Sequence, residues 1–306
     1  MTPSFTIIVP TYNSDSTLEY ALDSFRRQLW PELEVIIVDG ESSDNTIELA
    51  KSFGALISTV ISEPDKGIYD AINKGVACAK GDLIAIIGSD DVLVEGALSA
   101  IATQWAFSKT EIVAGRAIMV FPDGREEYRQ DEIYGVGALL SGIPFCHNAM
   151  FVSRQAYQKV GLYDLKYRIC ADAHWAHRAI LAGCSCAQIE SDIVRFSLDG
   201  ISSNNDEEIM RETYQIVAEN FPGLSIASAT TLFQAVRGWS GGADVEAILR
   251  QHQDDPALLI ASNTAFLNRA QQLSQQQPAL LTSDTGSKPS FFDRCLQTIL
   301  SSWRKK

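Results

Sequence analysis

The chain of 306 residues lacks the spacings on which several common chemistries depend. No G-x-G-x-x-G follows its first apolar run, which argues against a dinucleotide-binding Rossmann enzyme. No G-x-x-x-x-G-K-[ST] is present, which argues against a P-loop NTPase. No G-x-S-x-G elbow marks a serine hydrolase. Cys78, Cys146, Cys170, Cys184, Cys186 and Cys295 form no CxxC spacing, so no zinc framework is visible. Cys184-Ser185-Cys186 stands without a partner motif, and core packing is its expected role. No apolar stretch approaches the roughly 20 residues needed to cross a bilayer. Met1-Thr2-Pro3-Ser4-Phe5 shows no basic segment followed by an apolar one, so no secretory signal is expected and the cytosol is the default compartment. Positive charge is scarce: 25 Lys and Arg face 38 Asp and Glu, for a net charge of -13. That balance argues against a nucleic-acid polymer as partner. A small anionic ligand stays open, because a metal or backbone N–H groups can offset the overall charge.

What is present is ample apolar material, 46% of the residues, arranged in a strand–helix rhythm. Phe5–Val9, Glu34–Val38, Leu56–Ile61 and Leu83–Ile87 read as strands. Helical periodicity separates them, with Leu18, Ala21, Leu22, Phe25 and Leu29 on one stripe. Ser16 and Glu19 have capping-box spacing before that stripe. Further helices are expected from about Asp44 to Phe53, ended by Gly54, and over Tyr69–Ala79, closed by Gly81. Near-continuous apolar strands, each followed by a helix, predict an α/β fold whose parallel sheet is covered on both faces. After Val92 the rhythm changes. A helix over Ala97–Phe107, a strand over Ile112–Phe121, a turn at Pro122–Arg125 and an irregular stretch over Gly135–Pro144 precede a mixed block from Ala149 to Phe196. Beyond Ser202 the pattern is mainly helical. Residues 271–290, rich in Gln, Ser and Pro, read as a linker. In 291–306, Phe292, Leu296, Ile299 and Trp303 share one helical face and the end is basic. That suits a helix on an anionic membrane surface, or one docked on its own domain or on a partner subunit.

Carboxylates at strand ends carry the strongest local signals. Asp39 ends the second strand and Asp90-Asp91 follow the fourth. Such groups are costly to bury unless they hold a ligand or a metal. The C-terminal edge of a parallel sheet is where open α/β folds bind ligands. Mg²⁺ and Mn²⁺ favour hard oxygen ligands, and Mg²⁺ is typically held by one or two carboxylates plus substrate phosphates. Asp90 and Asp91 can therefore divide the work, one on a metal and one on a ribose. Asp39 can accept from a base or a ribose, while Asp44 reads as a helix N-cap. Pro10-Thr11-Tyr12-Asn13 leaves the first strand with backbone groups, a hydroxyl and an aromatic face that could cradle a nucleoside, or forms an ordinary turn. Lys66 and Lys74 could meet phosphate, or belong to a solvated loop and helix face. Asp172 starts a helix. Its local sequence does not separate a charge stabilising the helix N-terminus from a general base. His174 and His177 are i, i+3 with no third ligand nearby and read as structural. His147, after the irregular stretch, is an acceptor-site candidate.

Val9-Pro10-Thr11-Tyr12-Asn13, Val38-Asp39-Gly40-x-Ser42-x-Asp44-x-Thr46, Asn73-Lys74-Gly75, Ala79-Lys80-Gly81-Asp82 and Ser89-Asp90-Asp91 together resemble family 2 glycosyltransferases of the GT-A fold. His147-Asn148-Ala149-Met150-Phe151, Gly161-Leu162-Tyr163-Asp164, Ala171-Asp172 and Gly200-Ile201-Ser202-Ser203 extend the resemblance to about residue 205. It implies a mostly parallel central sheet flanked by helices, with a nucleotide-binding half over 1–95 and an acceptor half over 96–205. A helical extension over 206–270 follows. The implied reaction moves one sugar, with inversion, from a nucleotide-sugar donor, a UDP-sugar being expected, to an acceptor hydroxyl. The acceptor would be a saccharide or lipid-linked saccharide for the cell surface. By position, Pro10, Thr11, Tyr12, Asp39, Lys66 and Asn73 would hold the nucleotide. Asp90 would touch the ribose or metal, Asp91 the divalent metal (Mn²⁺ or Mg²⁺), and Asp172 would be the catalytic base. Ile72 stands where many relatives carry a basic residue, which passes phosphate contact to Lys66 or Lys74. The absence of Q-x-x-R-W implies a non-processive enzyme. The implied location is cytoplasmic, with peripheral membrane contact through 291–306. A non-catalytic nucleotide-sugar-binding module of GT-A type is the alternative reading.

Overall fold

The computed structural model describes residues 2–198, 205–239 and 243–276. The first part alternates as the apolar runs predict: β1 (Phe5–Thr11), α1 (Leu18–Arg27), β2 (Leu33–Asp39), α2 (Thr46–Ser52), β3 (Ile57–Ser62), α3 (Ile68–Cys78) and β4 (Leu83–Ile86). Every residue of β1 is buried. That is why it reads as a continuous apolar run and not an alternating one. Leu18, Ala21, Leu22 and Phe25 turn one face of α1 onto this core. Burying such a large side chain contributes roughly 1.5–3 kcal/mol.

The chain continues as β5 (Val92–Leu93), α4 (Ala97–Ser108), β6 (Ile112–Val120), β7 (Glu126–Tyr128), β8 (Met150–Ser153), α5 (Arg154–Val160), α6 (Ala171–Leu181) and β9 (Cys186–Ser197). All join one sheet or flank it, in the strand order β3-β2-β1-β4-β8-β6-β9-β5, with β7 on β6. The first four strands are parallel. β8 is antiparallel to both β4 and β6, while β6 and β9 run parallel. The expected α/β architecture is therefore present, as a sheet parallel in its first half and mixed in its second.

Two local expectations change. α1 begins after Thr17, and no side chain caps it, so Ser16 and Glu19 form no capping box. α3 ends at Cys78 without using Gly81 as its stop. A Cβ on Gly81 would stand 2.5 Å from the Thr6 backbone nitrogen. Gly81 is thus needed for close passage beside β1, and its N–H donates to Thr6 Oγ1 at 2.8 Å.

The described residues within 1–131 and 145–209 form one compact unit, and those within 132–144 and 210–306 form another. The resemblance implied an acceptor half over 96–205 that includes 132–144, yet this segment packs with the later helices. The second unit is built on α7 (Asp206–Glu219), α8 (Ile226–Arg237), α9 (Ala243–Gln251), α10 (Pro256–Gln276) and a 3-10 turn over Val136–Leu140. A Cβ on Gly137 would come within 2.9 Å of the Ala265 backbone nitrogen, so the turn lies directly on α10. Asn220 donates to Leu139 O at 2.9 Å, and Arg237 pairs with Glu132 at 3.0 Å. Residues 271–276, expected to open the linker, continue α10 instead. Gln is a good helix former and the first proline beyond is Pro278. Residues 277–290 and the amphipathic stretch 291–306 lie outside the described residues. Among the described residues no helix is long and apolar enough to cross a membrane.

Candidate active site

Parallel register puts Thr11, Asp39 and Ser62 side by side at the C-terminal ends of β1, β2 and β3. Asp39 is 1% exposed and accepts four hydrogen bonds. Thr11 Oγ1 donates to its Oδ1 at 3.2 Å, as does the Ser42 hydroxyl. The Ser42 N–H and Ser62 Oγ donate to its Oδ2 at 2.9 and 2.8 Å. Burial alone would push this carboxyl up, but bonds from Ser42, Ser62 and Thr11 together hold it below the usual value. Beyond this edge the loops after β1 and β2 are laced together. Asn13 N–H donates to Ser42 Oγ at 2.8 Å and Asn13 Oδ1 accepts from Ser43 N–H at 2.9 Å. Asp44 accepts from Asp15 N–H at 3.1 Å and from Thr46 N–H at 3.0 Å, but the N-cap of α2 is Asn45, so Asp44 stands one residue before the position expected of it and ties the two loops together. Tyr12 stays 66% exposed above this frame.

After β4, Ser89 Oγ donates to Ser14 Oγ at 2.9 Å, tying the acidic turn to the β1 loop. Asp91 is 1% exposed. It accepts from Ser197 N–H at 2.9 Å, from Gly88 N–H at 3.1 Å and from the Asn148 amide. Burial first, then the charge of Asp90, pushes its carboxyl up to about 7. A Cβ on Gly88 would meet Asp91 Oδ2 at 2.6 Å and Asp90 Oδ1 at 2.9 Å, so both carboxylates converge on the space a side chain would fill. Among the described residues no group of three or more His, Cys, Asp or Glu forms a metal cage. Two converging hard oxygen donors suit a divalent cation, which Asp90 and Asp91 would hold.

The third carboxylate, Asp172, lies in the first turn of α6, where its Oδ1 accepts from Ala173 N–H at 2.7 Å. Its surroundings come from distant segments. The Tyr69 phenol is pushed well up by burial and then by the Asp172 charge, and donates to Ile169 O at 2.7 Å. Burial lowers the His147 pKa against the opposing pull of Asp172, which keeps that imidazole neutral at pH 7. His147 Nε2 is 2.8 Å from Tyr163 Oη, which lies 2.9 Å from Tyr157 Oη. Tyr69 and Tyr163 stack with ring centroids 5.5 Å apart. Asn73 fixes Tyr163 in place: its amide exchanges two 2.9 Å bonds with the Tyr163 backbone.

The structure thus gathers Thr11, Tyr12, Asp39, Asp90, Asp91, His147 and Asp172 around one edge of the first unit. Pro10 is a buried β1 residue. Asn73, expected on the nucleotide, is taken up by Tyr163. Lys74 is held by Pro64 O and Glu63, both at 2.9 Å, and by Asp70 at 3.6 Å. Lys66 is exposed and forms no ion pair among the described residues. His177 is fully buried and His174 lies against Tyr167, at 4.7 Å between ring centroids, as their structural reading expects. Sequence reasoning assigned no role to Asn148, Ser62, Tyr69 or Tyr163. For Ser62 a hydroxyl at the last position of a strand was the available signal. The others depend on long-range packing.

A PGL/p-HBAD biosynthesis glycosyltransferase of Mycobacterium bovis is 33% identical over 177 residues, covering 56% of this chain and 67% of that protein. An uncharacterized glycosyltransferase of Mycobacterium tuberculosis is 27% identical over 221 residues, covering 67% and 79%. Among solved structures, S. aureus TarS 1–349 in complex with UDP-GlcNAc superposes with a TM-score of 0.61 at 16% identity, covering 99% of this chain and 92% of that one. The mannosyltransferase PcManGT from Pyrobaculum calidifontis, in complex with GDP-Man and Mn²⁺, gives 0.54 at 17% identity, covering 100% and 81%. Residues 6–181, more than half of the chain, match glycosyl transferase family 2, and the chain belongs to that family.

Proposed function

We propose that the protein transfers one sugar per encounter from a nucleotide-sugar donor to an acceptor hydroxyl, with inversion at the anomeric carbon. One observation carries the reading. The consecutive residues His147 and Asn148 reach Asp172's surroundings on one side and Asp91 on the other. A single short turn therefore couples the acidic pair after β4 to the carboxylate on α6. The nucleotide-sugar complexes of the two structural neighbours support the same substrate class.

In this reading Tyr12 offers its exposed ring to the nucleoside. Asp90 is the half-buried member of the acidic pair, and it would hold the cation together with Asp91, which is buried and held by three donors. When bound, a divalent cation would neutralise charge developing on the leaving diphosphate. Asp172 accepts the proton of the attacking hydroxyl, a role typically worth ~10²–10⁴-fold in rate. The Tyr69 hydroxyl is committed to Ile169 O and His147 Nε2 is engaged with Tyr163 Oη, which leaves the carboxylate as the base in this reading. A saccharide or lipid-linked acceptor and a peripheral membrane contact through the basic, amphipathic sequence 291–306 complete the proposal. Loss of membrane-fraction association on deleting 291–306 tests that contact.

The central test is Asp172→Asn. It is expected to bind nucleoside diphosphate with Mn²⁺ as the wild type does, while transfer falls by about 10²-fold or more. Near-wild-type turnover in that variant removes Asp172 as the base. A non-catalytic module predicts no transfer or donor hydrolysis by the wild type either.

A further inference from the structure

Arg178 stands six residues after Asp172 on α6, with Trp175 between them. At i, i+3 and i+6 the three side chains lie along one side of the helix. The last two both reach one turn, the exit from α5. Arg178 donates from Nη1 to Val160 O at 3.0 Å and from Nη2 to Leu162 O, and Trp175 Nε1 donates to Gly161 O at 2.8 Å. Two side chains of α6 thus take three consecutive carbonyls. Gly161 permits the turn, because its φ of +88° lies in the left-handed region that other residues resist.

The next residue carries this turn into the site. Asn73 holds the Tyr163 backbone, and the Tyr163 hydroxyl lies 2.8 Å from His147 Nε2. Asn148 follows His147, and its amide donates to Asp91. A continuous run of bonds therefore joins the helix that bears Asp172 to the acidic pair after β4. Arg178 makes two of the three bonds at the α6 end of that run.

A guanidinium suits this task and an ammonium does not. Its planar fork serves two carbonyls at once, one on each side of Gly161, whereas Lys offers a single point of charge. Arg178 is half-buried, and among the described residues no carboxylate pairs with it. Its charge is spent on neutral acceptors, so what the residue supplies is geometry and not an ion pair. We propose, resting on the reading of Asp172 as base above, that Arg178 is a positioning residue. By locking α6 to the Val160–Leu162 turn it sets where Asp172 stands relative to the acidic pair. Misplacing a reacting group by about 1 Å can cost roughly 10²-fold in rate.

A double-mutant cycle tests the role. Nucleoside diphosphate release from a panel of UDP-, GDP- and dTDP-sugars with Mn²⁺ is measured for the wild type, Arg178→Lys, Asp172→Asn and the double variant. Arg178→Lys is expected to lower release by about 10- to 100-fold, with calorimetric affinity for the same nucleoside diphosphate and Mn²⁺ unchanged. In the Asp172→Asn background the Lys substitution is expected to add nothing, because the group it positions is gone. A residue that serves stability alone would cost the same factor in both backgrounds. Trp175→Phe removes only the third bond and keeps a buried ring, so it carries the same cycle should Arg178→Lys not fold. Wild-type release by Arg178→Lys, or an equal loss in both backgrounds, overturns the positioning role and leaves Asp172 as the base. Near-wild-type release by Asp172→Asn overturns both readings. No release from any donor by the wild type overturns the transferase reading and this role with it.

Discussion

Asp91 should make the metal-free protein lose stability as pH rises. Its carboxyl is 1% exposed, and burial followed by the Asp90 charge moves its pKa from 3.8 to about 7. The folded chain keeps the proton up to that value, while the unfolded chain releases it near 3.8. Between these limits the native state binds more protons, so stability present below the unfolded value is lost as pH climbs through the folded one. Each pH unit is worth about 1.4 kcal/mol, which sets a ceiling of about 4 kcal/mol over the whole window. Asp91→Asn has no proton to lose. Its amide also replaces one accepting oxygen with a donor, facing the Gly88 N–H or the Asn148 amide. That costs about 1–3 kcal/mol at every pH. The difference in pH dependence therefore carries the test. In chelator-treated protein, urea unfolding at pH 5 and pH 8 should show a wild-type loss that exceeds the variant's by about 2–3 kcal/mol. Equal pH slopes would refute the reasoning, because the carboxylate would then be ionised throughout, its three bonds outweighing burial.

Three further outcomes follow from the geometry. Gly88→Ala drives a Cβ into both carboxylates, so the Mn²⁺-dependent thermal shift with nucleoside diphosphate should vanish; an undiminished shift would place the cation elsewhere. Asp39→Asn should lower stability at pH 7 by about 1–3 kcal/mol, since an amide cannot accept all four donors. Because Asp39's folded pKa is lowered, its contribution is present above the unfolded value and lost as pH falls through the folded one, so the variant's acid limb should be shallower in urea unfolding. Tyr163→Phe strips the shared partner from His147 and Tyr157 and should cost about 1–3 kcal/mol by the same measurement.

Much of the fold was legible because burial on both faces writes a strand as an unbroken apolar run. β1, β2 and β4 show it, and the helices between them follow 3.6-residue periodicity. The second half was less legible. β5 has two residues and β7 three exposed ones, too short for a pattern to rise above its neighbours. Gly135–Pro144 looks irregular in sequence, and only packing against α10 gives it a place. Ser16 and Glu19 show a capping spacing that the chain does not use, since the β1 and β2 loops bind each other through Ser14 and Thr46 instead.

At the site, sequence alone determined which carboxylates stand at the strand ends, because a polar group that closes an apolar run is visible in one dimension. It also supplied the order and spacing that mark glycosyl transferase family 2. Only tertiary structure decided how each carboxylate is employed. Asp39 and Asp65 are both acids near strand ends, yet Asp39 has all four acceptor positions filled across three strand ends and Asp65 accepts from Gly67 N–H within its own turn. Asp90 and Asp91 are neighbours in sequence, yet Asp91 is buried and accepts from Asn148 and Ser197 while Asp90 is half-buried. Asp172 is indistinguishable from a helix-start charge until Tyr69, His147 and Tyr163 close around it. Acceptor saturation and burial are sums over residues distant along the chain, and no local pattern carries that information.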